Sequence, residues 1–366
     1  MQLYQKREGE IVNTFFNFHD CDIPLSPIQC SDNVAYCDNR ENEKLEWTPF
    51  LSFPVTKKCN FRCIYCGIGG EATGSQNEII SLPQIQQIAQ IAIQKGIRKF
   101  RLTGGEPLLH PDIGAILSYF SELGMYTLIN TNGSYILKRK SILDTVQPNI
   151  RFAVSLDTLI PEKLLAISSQ HCLQEILCGI EYLKDRGLLL RCNMVVGKHN
   201  IDEVPDIIRF CQKMNCDLKI LDIVSVPVPY GVRGDFYQEV NSLEKMLMET
   251  CNEVYSHEYS RGFGTPCFRY RFEKTFVTVK NSKKGSHYDC GSGGICDGCQ
   301  YFPCHEGLYD IFALSDNRLC ACRWTEKQSF DNMEDQMQFL IDAFRRSRYV
   351  PVIENKDMGV RSELVK

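Results

Sequence analysis

The sequence has little net charge. In 366 residues, 41 Lys and Arg stand against 45 Asp and Glu, a formal charge of −4. That balance argues against a general binder of nucleic acid or other polyanions, which carries a basic excess. No apolar run of about 18 residues occurs, so no segment reads as a membrane span. Residues 1–18 hold Lys6, Arg7 and Glu8 and no apolar core, which argues against a secretory signal. Internal repeats and low-complexity tracts are missing too. Disorder as the dominant state is excluded, because 43% of the residues are hydrophobic and the net charge is small. What the chain has in plenty is cysteine, 19 residues. Without an export signal the expected compartment is the cytoplasm, where thiols stay reduced. Clustered thiols there read as metal ligands or catalytic groups rather than disulfides.

Apolar periodicity divides the chain into alternating strands and helices. Residues 53–56, 100–103, 125–129, 151–156, 188–196 and 218–224 read as strands. Residues 82–95, 112–123, 134–145, 162–186 and 201–214 read as helices, with Gly96 and Gly124 as stops. Six strands alternating with helices predict an α/β fold with a parallel sheet, whose chemistry gathers at the carboxyl ends of the strands. The pattern breaks after Val224. We expect an extension over 1–49, an α/β domain over 50–225, and a linker and helix over 226–266, the helix at 242–255. A Cys-rich domain over 267–325 and a last helix and tail over 326–366 complete the division.

Cys59, Cys63 and Cys66 follow the first strand with C-x3-C-x2-C spacing. Three thiolates on one short loop suit a four-iron cluster with one open iron, whereas electron-carrying clusters usually take four Cys. A structural zinc site is the alternative, although zinc knuckles favour paired C-x2-C. Gly104-Gly105-Glu106-Pro107 follows the second strand. The glycines permit close backbone approach to a ligand, and Glu106 places a carboxylate where it can hold an amino group. Read alone, the motif is a glycine-rich turn.

Together these motifs resemble the radical S-adenosylmethionine (SAM) enzymes. The resemblance implies a partial, six-unit (β/α) barrel of the TIM type and a [4Fe-4S] cluster on Cys59, Cys63 and Cys66. It also implies SAM chelated to the open iron, cleaved reductively to a 5′-deoxyadenosyl radical that abstracts hydrogen from substrate. An external reductant such as flavodoxin or ferredoxin would be the partner. The sequence is most similar to the GTP cyclases of molybdenum-cofactor biosynthesis, over roughly 53–324. It shares Arg101-Leu-Thr-Gly-Gly-Glu-Pro, Asn130-Thr-Asn-Gly133, Val154-Ser-Leu-Asp157 and Arg191-Cys-Asn193. By that resemblance Tyr65, Gly104, Gly105 and Ser155 contact SAM, Glu106 takes its amino group, and Asn193 and Val224 border the adenosyl group. Arg101, Asn130 and Arg191 become candidate substrate residues. The departures matter as well. Ser52 stands where the cyclases have Arg, Asn130 where they have Thr, and Arg191 where they have Lys. Their Arg-x-Arg array and two-glycine tail are absent. Triphosphate recognition needs several cations, so these departures argue against GTP.

A second group, Cys290, Cys296, Cys299, Cys304, Cys320 and Cys322, combines a C-x2-C knuckle with a hairpin turning at Asp316-Asn317. It resembles the auxiliary-cluster domains (twitch or SPASM) that follow radical SAM barrels. Cys296, Cys299, Cys304 and Cys322 are the expected ligands of an auxiliary, four-iron cluster. Cys320 and Cys290 are alternatives, as is zinc. Cys172, Cys178, Cys192, Cys211, Cys216 and Cys251 read as small buried hydrophobes. Cys21, Cys30 and Cys37 are given no metal role. His110 and His305 lie near the two motifs, and a hydrogen-bonding role is favoured for both. The expected function is therefore radical SAM chemistry on a small molecule other than GTP. A ribosomally made peptide is the alternative substrate, and a non-catalytic iron–sulfur or zinc protein the reading from another class. No catalytic side chain beyond the cofactor site, and no oligomeric state, is read from the sequence.

Overall fold

The computed structural model describes residues 2–7, 10–15, 25–26, 49–66, 78–223, 236–257, 267–281, 287–289, 295, 310–322, 330–346 and 348–350. Near the N-terminus, β1 (Gln2–Arg7) and β2 (Glu10–Phe15) form an antiparallel hairpin. After them comes the two-residue β3 (Leu25–Ser26). The α/β alternation then begins: β4 (Phe50–Thr56), α1 (Leu82–Gln94), β5 (Lys99–Gly104), α2 (Ile113–Leu123), β6 (Tyr126–Thr131), α3 (Lys140–Leu143) and β7 (Ile150–Ser155). It continues through α4 (Pro161–Ser168), α5 (Leu173–Asp185), β8 (Leu189–Val195), α6 (Val204–Met214) and β9 (Asp217–Leu221).

Local chemistry explains the boundaries. Ser81 opens α1, its backbone N–H donating to Gln84 Oε1 at 2.9 Å, with Pro83 in the first turn. Gly124 closes α2 and Asn215 closes α6, both left-handed at φ 65° and φ 52°.

Downstream lie α7 (Asn241–Thr250), β10 (Glu253–His257), β11 (Cys267–Phe272) and β12 (Thr275–Lys280). They are followed by β13 (His287–Asp289), β14 (Asp310–Ala313), β15 (Leu319–Cys320), α8 (Met333–Arg346) and β16 (Arg348–Val350). One sheet takes the order β15-β14-β4-β5-β6-β7-β8-β9-β12-β11-β10-β3, and β13 pairs with β16 apart from it. The six expected strands, β4 to β9, are mutually parallel neighbours. Two strands from beyond residue 225 extend the array in the same direction, β12 beside β9 and β14 beside β4. Eight neighbouring strands therefore run parallel, and the Cys-rich region shares its sheet with the α/β units.

Three helical expectations are corrected. The helix read over 162–186 is two, α4 and α5, broken where Ser169 turns left-handed at φ 60°. Residues 134–145 hold only a 3-10 turn at Leu137–Arg139 and the one-turn α3. The helix read over 242–255 ends at Thr250, and Glu253–His257 is strand.

Alternation along the strands gives the sheet two unlike faces. Leu51, Phe53, Val55, Phe100, Leu102, Phe152, Val154, Met194 and Ile220 point into the core shared with the helices. The opposite face carries the small apolar group of Phe50, Leu128 and Ala153. By the same alternation it carries Ser52, Arg101, Asn130, Arg191 and Asp310, and this is the face that a TIM-like barrel turns inward. Cys192, Cys211 and Cys216 meet within the helix–sheet layer, their sulfurs all within 4.8 Å of one another and the residues buried. The expectation of buried thiols thus holds at these positions.

Candidate active site

The loop 59–66 leaves β4 at its carboxyl end. Cys59 and Cys63 are half-buried and Cys66 is exposed. Two neighbours pin the loop. From the β6 end, Asn132 Nδ2 donates to Asn60 Oδ1 at 3.0 Å and to the Cys59 sulfur at 3.9 Å. Asn60 Nδ2 in turn donates to Ser134 Oγ at 3.0 Å. From the other side, Arg62 N and Ile64 N each donate, at 2.9 Å, to Ser168 O and Ile167 O at the end of α4. A helix continuing through 186 would use those two carbonyls internally. The break at Ser169 is what frees them for the loop.

The Gly-Gly-Glu-Pro motif packs against the chain that leads into this loop. Gly105 N donates to Thr56 O at 2.7 Å and Glu106 N to Lys58 O at 2.8 Å. A Cβ on Gly104 would lie 2.3 Å from Thr56 O, and one on Gly105 would lie 2.3 Å from Lys58 O. These glycines therefore permit a close approach of backbone to backbone, a role that the sequence motif alone did not show.

Glu106 is 0% exposed. Its Oε1 accepts from Thr131 Oγ1 at 2.7 Å and from Leu108 N at 3.0 Å, and its Oε2 from Asn132 N at 2.7 Å. Burial, opposed by these bonds, pushes its carboxyl up to about 7. A carboxylate has about four acceptor positions, and the donors found among the described residues fill three of them. Glu106 also fixes the β6 turn, a role the motif alone does not reveal.

Tyr65 donates its hydroxyl hydrogen to Asp157 Oδ2 at 2.6 Å, and its ring packs on Phe236 at 5.8 Å. Asp157 Oδ1 accepts from Val195 N at 2.8 Å. Burial, opposed by the bonds from Tyr65 and Val195, pushes the Asp157 carboxyl up to about 6. Ser155 and Asn193 are register partners at the ends of β7 and β8, both half-buried.

The candidate substrate residues differ among themselves. Arg101 pairs with Asp310 Oδ2 at 2.5 Å and lies 4.5 Å over the Phe50 ring. Ser52 hydrogen-bonds the same carboxylate. Arg191 is buried and donates from Nε to Asn193 Oδ1 at 2.8 Å. Burial pulls its guanidinium down to about 10, against the pull of Asp217. Asn130 Oδ1 is buried and accepts from no donor among the described residues.

His110 is buried, its Nδ1 accepting from Asp112 N and its Nε2 beside Ile80 O, so it is a structural hydrogen-bonding residue. In the second Cys group, Gln336 of α8 clasps Leu319 with bonds of 3.0 and 2.9 Å, and this clasp sets the β14–β15 hairpin that bears Cys320 and Cys322. Val224, Cys290, Cys296, Cys299, Cys304 and His305 lie outside the described residues, as do Cys21, Cys30 and Cys37.

The donor set fits a thiolate-bound cluster. Burial pushes the Cys59 and Cys63 thiols up, so a metal is what would ionise them. The residues that sequence reasoning passed over are Asn60, Asn132, Ser134 and Asp157. Asn132 and Asp157 did stand inside quoted motifs. Only the fold shows that they hold the loop.

The fold and the sequence each have relatives. The fold matches SuiB of Streptococcus suis bound to its precursor peptide SuiA, with a TM-score of 0.56 and 15% identity over 80% of this chain and 67% of that one. It also matches anSMEcpe with bound AdoMet, with a TM-score of 0.51 and 14% identity over 81% and 80%. In sequence, the chain is 30% identical to "Probable GTP 3',8-cyclase" of Sulfolobus acidocaldarius over 310 residues, 81% of this chain and 90% of that protein. It is 30% identical to GTP 3',8-cyclase 1 of Pseudomonas aeruginosa over 217 residues, 58% of this chain and 66% of that protein. Residues 53–211 match the Radical SAM superfamily. With the cysteine loop at the strand ends and a relative matched over nine-tenths of its length, this chain belongs to the radical SAM superfamily of enzymes.

Proposed function

We propose that this enzyme cleaves SAM at the 59–66 loop and removes hydrogen from a small molecule other than GTP. The observation that carries the reading is a three-thiol loop, pinned from β6 and from α4, with its Cys66 edge exposed. Cys59, Cys63 and Cys66 would hold the four-iron cluster of the family. When bound, the cluster and SAM supply one-electron cleavage to a 5′-deoxyadenosyl radical. The remaining acceptor position of Glu106 suits the SAM amino group. Tyr65, Gly104, Gly105, Ser155, Asn193 and Val224 would line the rest of the nucleoside site. The buried Asn130 Oδ1 suits a substrate N–H or O–H, with Arg191 on the same face.

Two features support a substrate other than GTP. Ser52 occupies the position of a cyclase arginine, and Asp310 draws both Ser52 and Arg101 onto its own carboxylate. That leaves fewer cations for a triphosphate. A ribosomally made peptide is the second reading, prompted by SuiB, whose structure holds its precursor peptide. Cys296, Cys299, Cys304 and Cys322 would carry an auxiliary cluster, and a flavodoxin or ferredoxin would supply electrons.

The test is anaerobic reconstitution with iron and sulfide, then dithionite and SAM. 5′-Deoxyadenosine should form, and GTP should leave its rate unchanged. A GTP-dependent rise with a cyclised nucleotide product would overturn the substrate reading. Cys299→Ala should keep SAM cleavage and lose substrate conversion.

A further inference from the structure

Tyr65 sits between two of the three loop cysteines, and its hydroxyl has one hydrogen and two neighbours. One neighbour is Asp157 Oδ2, at 2.6 Å. The other is the Cys63 side chain, two residues earlier on the same loop and near enough to interact with the hydroxyl, whose hydrogen goes to Asp157. Asp157 is well placed to take the hydrogen. It is 6% exposed, its Oδ1 is fixed by Val195 N, and its backbone carbonyl accepts from Asn200 Nδ2 at 2.9 Å. The carboxylate is thus held between β7 and β8 before it meets Tyr65.

We propose that Asp157 is a positioning residue for the cysteine loop, acting through Tyr65: it ties the loop to the ends of β7 and β8 and draws the phenolic hydrogen away from the Cys63 sulfur. The proposal rests on the reading that Cys63 is a cluster ligand. A hydrogen bond to a ligand sulfur withdraws electron density from it and favours the reduced cluster, which raises the potential. SAM cleavage asks for a strongly reducing cluster. A carboxylate that holds this hydrogen keeps the Cys63 sulfur free of the donor and the potential low.

Asp157→Asn separates the two parts of the claim. The amide keeps one oxygen for Val195 N, and its Nδ2 then donates to the Tyr65 oxygen. The tether survives while the phenolic hydrogen is released toward Cys63. In the iron-free full-length chain, hydrogen exchange at Ile64 and Cys66 should stay near wild type in Asp157→Asn. It should quicken about tenfold in Asp157→Ala, which loses a charge-assisted bond. In the reconstituted chain, the midpoint potential of the SAM-responsive cluster should move positive in Asp157→Asn. That shift should vanish when Tyr65→Phe is added.

A wild-type potential in Asp157→Asn, or an equal shift with and without the Tyr65 hydroxyl, overturns the claim on the hydrogen. Unchanged exchange in both Asp157→Ala and Tyr65→Phe overturns the tether, and Tyr65→Phe decides it alone should Asp157→Ala fail to fold. If the wild type binds no cluster on this loop, the functional reading fails, and the exchange arm still decides the tether.

Discussion

Two cysteine trios in this protein have opposite surroundings. Cys59, Cys63 and Cys66 share one loop at the strand ends, partly open to solvent, with backbone and amide N–H groups directed at the Cys59 sulfur. Cys192, Cys211 and Cys216 come from β8, α6 and the turn before β9, and they meet in the dry helix–sheet layer. Their sulfurs are hydrogen-bonding neighbours of one another, with Cys192 and Cys216 4.0 Å apart. Proximity is therefore a poor guide to chemistry. What sets the loop trio apart is an open side and a polar frame at the end of a parallel sheet, where ligands of such folds bind.

The largest expected effect breaks the loop trio alone. Cys63→Ala should lose about four irons per chain, one whole cluster, while Cys211→Ala keeps them; iron and acid-labile sulfide assays on both variants decide it. Next comes Gly105→Ala, whose Cβ would lie 2.3 Å from Lys58 O. The entry to the loop must shift, and we expect a loss of about 2–4 kcal/mol in denaturant unfolding, with lowered cluster occupancy. Among the described residues, no glycine of this kind packs against the buried trio.

A third prediction concerns pH. The Glu106 carboxyl is raised from 4.5 to about 7 in the fold. A raised carboxyl contributes stability fully below its unfolded value and loses it as pH rises through the folded value. This group therefore adds stability to the iron-free chain from pH 7.5 to pH 5, and the change over that window should be less favourable in Glu106→Gln than in wild type, as thermal melts at the two pH values would show. The smallest effect belongs to the buried trio. Cys192→Ala should cost about 1 kcal/mol of stability, measured by denaturant midpoint, and leave the iron content unchanged.

The trios also mark what the sequence made legible. Strands β4 to β9 and the stops at Gly96 and Gly124 are written in local periodicity and could be read directly. The loop trio was legible because its three cysteines are neighbours in sequence. The buried trio was not legible as a group, because its members are brought together only by the packing of α6 on the sheet. The same non-locality hid the pairing of β12 with β9 and of β14 with β4. The break at Ser169 was hidden for another reason. Apolar residues at helical spacing occur on both sides of it, at Leu164 and Ile167 and again at Leu173 and Ile176. The structure shows what the break serves, since it leaves the carbonyls of residues 167 and 168 to the cysteine loop.

The most direct measurement compares the two trios in one assay. 5′-Deoxyadenosine is followed after anaerobic reconstitution and reduction in the presence of SAM, with Cys59, Cys63 and Cys66 all changed to Ala in one chain and Cys192, Cys211 and Cys216 in another. The account predicts no 5′-deoxyadenosine from the first chain and wild-type formation, per folded molecule, from the second. Formation by the first, or its loss from a folded and iron-loaded second, would contradict it.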